Sequence, residues 1–126
     1  MCYNDQDGFQ TERIEKMKED VKISEDSGVL TARICCEIDH HTARLVREKI
    51  DRAFFEKRPR LLVLDFSEVG FMDSSGIGLI IGRTEKVGEA NASVRVQGLS
   101  PTLFRLLRIA GLERIKNLTV VRKERI

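Results

Sequence analysis

Four consecutive apolar residues, Leu61-Leu62-Val63-Leu64, stand between Arg60 and Asp65 in a chain whose residues are one-third charged. A run this short, continuous and free of alternation reads as a strand buried on both faces, the centre of a sheet with helices nearby. The segments on either side agree with that frame. Val21 and Ile23 alternate with polar residues, Ser27-Gly28 supplies a turn, and residues 29–38 are rich in β-formers, which predicts a hairpin. Asp39 then stands as a helix N-cap ahead of His40, His41, Thr42 and Ala43. Val46, Ile50, Ala53 and Phe54 follow at helical spacing, with charged residues off that stripe, and Pro59 closes the segment.

Beyond the central run, a second helix is predicted from near Ser74, with Ile77, Ile80, Ile81, Thr84 and Val87 as its apolar stripe. Residues 93–97 alternate as a strand. Ser100-Pro101 is a cap and first-turn pair, and Leu103, Leu106, Leu107 and Ala110 supply the face of a third helix that stops at Gly111. Residues 118–121 close the order β-β-α-β-α-β-α-β. That order describes an α/β domain with an inner sheet and helices packed on it, and 126 residues suffice for one such unit. Residues 1–19 lack a clear period and are read as a mobile N-terminal extension with a short helix over residues 11–18; the domain is placed at residues 20–126.

Several classes of function are excluded at this level. The balance of 22 basic and 20 acidic residues gives a net charge of +2, no strong push toward nucleic acid or membrane. Residues 1–27 hold eight acidic and four basic side chains, and residues 105–126 hold seven basic and two acidic, read as two solvated ends. The longest stretch poor in charge, residues 69–82, contains Asp73 and four glycines and is too short to span a bilayer. The N-terminus has acidic residues where a secretory signal needs basic ones. Cys2, Cys35 and Cys36 form neither a CxxC pair nor a His–Cys cluster with metal spacing. The expectation is a reduced, cytoplasmic, metal-free domain.

The chemistry concentrates in residues 65–83, DFSEVGFMDSSGIGLIIGR. A buried strand ends, a loop crosses, and Asp73-Ser74-Ser75-Gly76 opens a helix. The first turn of a helix carries unsatisfied N–H groups and partial positive charge, so a phosphate added there is tolerated. Gly76, Gly78 and Gly82 are costly inside a helix, about 0.5–1 kcal/mol each relative to alanine. Close packing, within the fold or against a partner, is the expected compensation. Ser and Asp are also the commonest caps, so an Asp-Ser-Ser-Gly start taken alone is more often structural than functional.

The segment FMDSSGIGLIIGR resembles the signature of bacterial anti-sigma factor antagonists, the anti-anti-sigma proteins of the STAS domain family, and is most similar to their sporulation branch. EIDHHTA at residues 37–43 and GLSPTLFRLLRIAGLERI at residues 98–115 agree at matching distances. The resemblance covers roughly residues 20–122. It implies a STAS-like single α/β domain, with a mixed central sheet of about five strands and helices packed along one side. It further implies phosphorylation at Ser74, the first serine of the Asp-Ser-Ser-Gly motif. Cys36 departs from the family pattern, which commonly has glycine there.

The same resemblance implies the partners. The unphosphorylated antagonist binds an anti-sigma factor that is also a serine kinase and so releases the sigma factor. The kinase, with its own ATP and Mg²⁺, phosphorylates the antagonist, and a serine phosphatase reverses the mark. The chain is then substrate and switch, with no catalytic residue and no cofactor of its own, and a monomer when free. Partner-binding residues are placed at Asp39, His41, Asp73, Ser74, Ser75, Gly76, Ile77 and Gly78. Ser75 is expected to cap the helix or position its neighbour, and Ile77 to lie in the core or at the contact. Two competing readings exist. A serine hydrolase lacks the GxSxG elbow and an oxyanion-hole motif, and Asp73 disfavours an alkoxide next to it. A STAS module serving general stress signalling, or binding a nucleotide or lipid, keeps the fold and changes the partner.

Overall fold

The computed structural model describes residues 20–122. The elements run β1 (Val21–Asp26), β2 (Val29–Ile34), α1 (His40–Lys57), β3 (Leu61–Asp65), α2 (Ser74–Gly88), β4 (Ser93–Gln97), α3 (Pro101–Ile109), a 3-10 turn (Leu112–Arg114) and β5 (Leu118–Val120). The predicted extension, its short helix and Cys2 lie outside the described residues. β1 and β2 form an antiparallel hairpin closed by Ser27 and Gly28, both at positive φ, as a tight two-residue hairpin turn requires.

The strands lie side by side in the order β1-β2-β3-β4-β5, and every pair after the hairpin is parallel. The order never reverses. Parallel crossovers are right-handed, so α1, α2 and α3 all fall on the same face of the sheet. Burial follows from that arrangement. Leu30, Ala32 and Ile34 of β2, Leu62 and Leu64 of β3, and Val94 and Val96 of β4 join one core cluster with Val46, Ile50, Ile80, Val87 and Leu107 of the helices. The opposite face carries Arg33, Arg95 and Thr119, all exposed, around Val63, which is 3% exposed. The continuous run at residues 61–64 is thus buried on both sides of the central strand.

Four expectations need correction. Ile23 is exposed: β1 is the edge strand, and Val21 alone among its residues is covered. β2 stops at Ile34, four residues early; the chain bends at Cys36, and Ile38 rejoins as an isolated parallel bridge to Met72. The buried stripe of α2 is Gly76, Leu79, Ile80, Arg83, Thr84 and Val87, while Ile77 and Ile81 are half-buried. On α3, Leu103 and Leu107 are buried and Ala110 is exposed.

Because β2 to β5 are parallel, the ends of β2, β3 and β4 lead into the starts of α1, α2 and α3 along one rim of the sheet. Open parallel sheets carry their sites at this carboxyl rim. Both outer ends of the described chain reach the same rim. Val21 pairs with Ile34 at the end of β2, and β5 runs parallel to β4, its Val120 beside Val96. The hairpin turn lies at the opposite rim.

Candidate functional site

Two helix N-termini are fastened together at the carboxyl rim. The Ile38 N–H donates to the Phe71 carbonyl at 3.0 Å, and the Asp73 N–H donates to the Ile38 carbonyl at 3.1 Å. Ile38 and Met72 thereby form a one-residue extension of the sheet, and the next residue of each strand, Asp39 and Asp73, caps a helix. The Asp39 carboxylate accepts from the His41 and Thr42 N–H groups, each at 2.9 Å, and the Thr42 hydroxyl accepts from the Asp39 N–H at 2.9 Å, completing a capping box. These donors, Thr42 first, hold the Asp39 carboxyl below its usual value. The Asp73 carboxylate accepts from the Ser75 N–H at 2.8 Å.

Asp73 is therefore the cap, and Ser74 is the first residue of α2. Its side chain is exposed, and no hydrogen bond occupies its hydroxyl among the described residues. Ser75 does not cap; it is half-buried and supplies the N–H that the cap receives. The free serine thus opens α2, whose carboxylate-capped start is tied through the Ile38–Met72 bridge to that of α1. Of the other residues singled out by sequence, Asp39 and His41 are exposed on α1, Gly78 is exposed, and Ile77 is half-buried against the core. The fold gathers all eight at the N-terminal ends of α1 and α2, from the caps to the start of the second turn of α2.

The three glycines of α2 divide into two kinds. A Cβ on Gly76 would lie 2.5 Å from Met72 Sδ, so this glycine lets α2 seat against the bridge that joins the two N-termini. A Cβ on Gly78 or Gly82 would meet nothing within 4 Å. Packing inside the chain does not explain them. Gly82→Ala is accordingly expected to stabilise the free domain by about 0.5–1 kcal/mol, from helix propensity alone, measured as a shift of the urea midpoint.

The space beside those two glycines is a cleft of about 430 Å³ lined by His40, His41, Ala43, Arg44 and Arg47 of α1 and by Ser75, Gly78, Leu79, Gly82 and Arg83 of α2. Arg44, Arg47 and Arg83 were not singled out from sequence. Arg83 was nonetheless legible, since it recurs at helical spacing with Gly76, Ile80 and Val87; a charge at a core position was the available signal. Phe71, 52% exposed, stands just ahead of the motif and is a further missed surface residue.

No group of three or more metal-binding side chains forms among the described residues, and none of the described helices is long and apolar enough to cross a membrane. Cys35 and Cys36 are half-buried free thiols. Burial first, then the charges of Asp20, Cys35 and Asp39, push the Cys36 thiol up to about 11. At pH 8 only about a thousandth of it is thiolate, the reactive form. Iodoacetamide at that pH is expected to spare Cys36, read by fragmentation of its peptide.

The chain belongs to the STAS domain family, whose match spans residues 20–124. It is 35% identical over 95 residues to an anti-sigma F factor antagonist of Paenibacillus polymyxa, covering 75% of this chain and 81% of that one. It is 37% identical over 79 residues to an anti-sigma-B factor antagonist of Listeria monocytogenes, covering 63% and 68%. Among solved structures it resembles the Bacillus cell fate determinant SpoIIAA in its phosphorylated form, with a TM-score of 0.62, 25% identity, and coverage of 82% and 92%.

Proposed function

We propose that this chain is an anti-sigma factor antagonist switched by phosphorylation of Ser74. The observation that carries the reading is the exposed, unengaged hydroxyl of Ser74 at the first position of α2, in a chain of this family. The partner is an anti-sigma factor with serine-kinase activity, which brings ATP and Mg²⁺; a serine phosphatase resets the mark. The chain itself is the substrate, cytoplasmic and monomeric when free, and contributes no catalytic group. Its docking surface is the rim formed by Asp39, His41, Asp73, Ser74, Ser75, Gly76, Ile77 and Gly78.

The physical basis is an asymmetry between fold and interface. A phosphoserine carries about −1.5 to −2 charges at neutral pH. At a helix start it gains about 0.3–1 kcal/mol from the helix dipole. Asp73 is fixed beside it as the cap and adds a local like charge. The domain tolerates the mark, while a close acidic group across an interface would not.

Incubation with the cognate kinase and ATP is expected to add one phosphate to the parent chain and none to Ser74→Ala, read by intact mass. Phosphate on the Ala variant, or none on either chain, would overturn the proposal. The sporulation branch is favoured because the sigma F antagonist matches at 35% identity over 95 residues, a stretch longer than the 79 at 37% and an identity higher than the 29% over 99 of two sigma-B antagonists. A general stress sigma factor is the second reading, supported by the Listeria relative. Capture of the anti-sigma factor from native cytosol, followed by identification of its sigma factor, separates the two.

A further inference from the structure

Phe71 is exposed to solvent three residues ahead of Ser74. Single exposed apolar side chains are ordinary on protein surfaces. What distinguishes this one is its place and how firmly its backbone is held. Val69 and Met72, on either side of it, are buried in the core, and the Val69 N–H donates to the Phe66 carbonyl at 3.0 Å. The Phe71 carbonyl accepts the Ile38 N–H at 3.0 Å, in the short ladder that joins the starts of α1 and α2. The loop is therefore pinned down while the ring stays outside the core cluster. Gly70 before it is exposed, and a Cβ there would meet nothing within 4 Å, so the approach to the ring is open.

Among the described residues the other exposed aromatic ring is Phe55, which has the Arg58 guanidinium 4.8 Å from its centre. Phe71 has no such cover among the described residues. Three residues of chain span at most about 11 Å, which bounds the distance between the Phe71 and Ser74 Cα atoms. A protein that closes over Ser74 with an interface of ordinary size covers about 800 Å² of this surface, a disc of roughly 16 Å radius, and so covers Phe71 as well. Ile23, Phe55, Ile109 and Val121, the remaining exposed large apolar side chains, lie elsewhere in the chain.

We propose that Phe71 is a docking anchor for the kinase that phosphorylates Ser74, its ring entering an apolar pocket beside the phosphoryl-transfer site. This rests on the reading of Ser74 as the phosphate acceptor and adds the recognition element on its N-terminal side. Buried aromatic anchors carry much of the energy of an interface. Phe71 and Asp73 share the ladder with Ile38, so ring and serine are presented at a fixed offset and little freedom is lost on docking. Phe71 takes no part in the transfer itself. There the Ser74 oxygen bonds the γ-phosphorus of ATP, the bond to ADP breaks, and the hydroxyl proton passes to a base of the kinase.

The test is steady-state phosphorylation of the full chain by the cognate kinase with ATP. Phe71→Ala is expected to lower kcat/KM by about tenfold or more through KM for the chain, with kcat within about twofold of the parent. Phe71→Leu, still apolar, is expected to recover most of that loss. Phe55→Ala is expected to behave as the parent, although its ring is the more exposed at 70%. Exchange of the Ile38 amide, which the Phe71 carbonyl holds, reads a merely structural role and is expected to be unchanged in Phe71→Ala. A parental KM in Phe71→Ala overturns the proposal, as does an equal loss in Phe55→Ala or an accelerated Ile38 exchange. Calorimetry of the anti-sigma factor against Ser74→Ala, with and without Phe71→Ala, reads the anchor where no phosphate is transferred. A loss of about tenfold in the double variant supports it, and equal affinity overturns it. Absence of phosphate on the parent chain overturns the switch alone.

Discussion

Ser74→Asp is expected to weaken binding to the cognate anti-sigma factor by up to about a thousandfold, with Ser74→Ala binding like the parent chain. One pair of like charges at 4 Å contributes about 4 kcal/mol at an effective dielectric of 20, and each 1.4 kcal/mol is tenfold in affinity. The variant carries one charge where a phosphate carries nearly two, so it sets the lower end of the effect of the natural mark. Both variants should fold alike. Ser74 is exposed and its hydroxyl is unengaged among the described residues, so alanine removes no internal bond there. Aspartate at the first position of a helix is favourable by about 0.3–1 kcal/mol. Isothermal titration against the purified anti-sigma factor, with thermal unfolding as the control, reads both quantities. Equal affinity of the two variants would sink the switch as described.

Ile38→Ala is expected to destabilise the domain by about 2–5 kcal/mol, the range for a fully buried large aliphatic side chain cut to a methyl. Ile38 is 0% exposed and belongs to the core. Its position gives the loss a second signature. The Ile38 carbonyl receives the Asp73 N–H, and its own N–H is held by Phe71, so packing at this residue fixes the offset between the two helix starts. Hydrogen exchange of the Asp73 amide should accelerate beyond what global unfolding explains. Urea denaturation showing less than about 1 kcal/mol of loss, with Asp73 exchange unchanged, would contradict this view of the bridge.

The arrangement of elements was legible because its signals are local. The apolar run at residues 61–64, the carboxylate at Asp39 and the Ser100-Pro101 pair each specify one element, and all three agree with the observed strands and caps. What escaped were outcomes decided by neighbours. Ile23 follows strand alternation, but its burial depends on whether a helix reaches the sheet edge, which alternation cannot encode. Residues 35–38 continue the strand-like run, yet beyond Cys35, whose N–H still reaches the Asp20 carbonyl, only Ile38 pairs as a strand, with Met72 far along the chain. At the site, Ser74 and its capping carboxylates were readable from the motif. The arginine-lined cleft was not, because Arg44 and Arg47 lie on the polar side of α1 and acquire meaning only when α2 packs alongside. Gly78 and Gly82 carried the hint: their helical cost was visible, but its cause was open space and not the expected close contact.

The exit points of the chain have a practical consequence. Asp20 and Arg122 both leave the sheet on the side where Ser74 is displayed. A fluorescent protein joined directly at Asp20 or at Arg122, with residues 1–19 or 123–126 removed, would sit in the doorway and shield the serine from a visiting enzyme. The Ser27-Gly28 loop, on the far side, is the better mounting point for a reporter in any assay of complex formation.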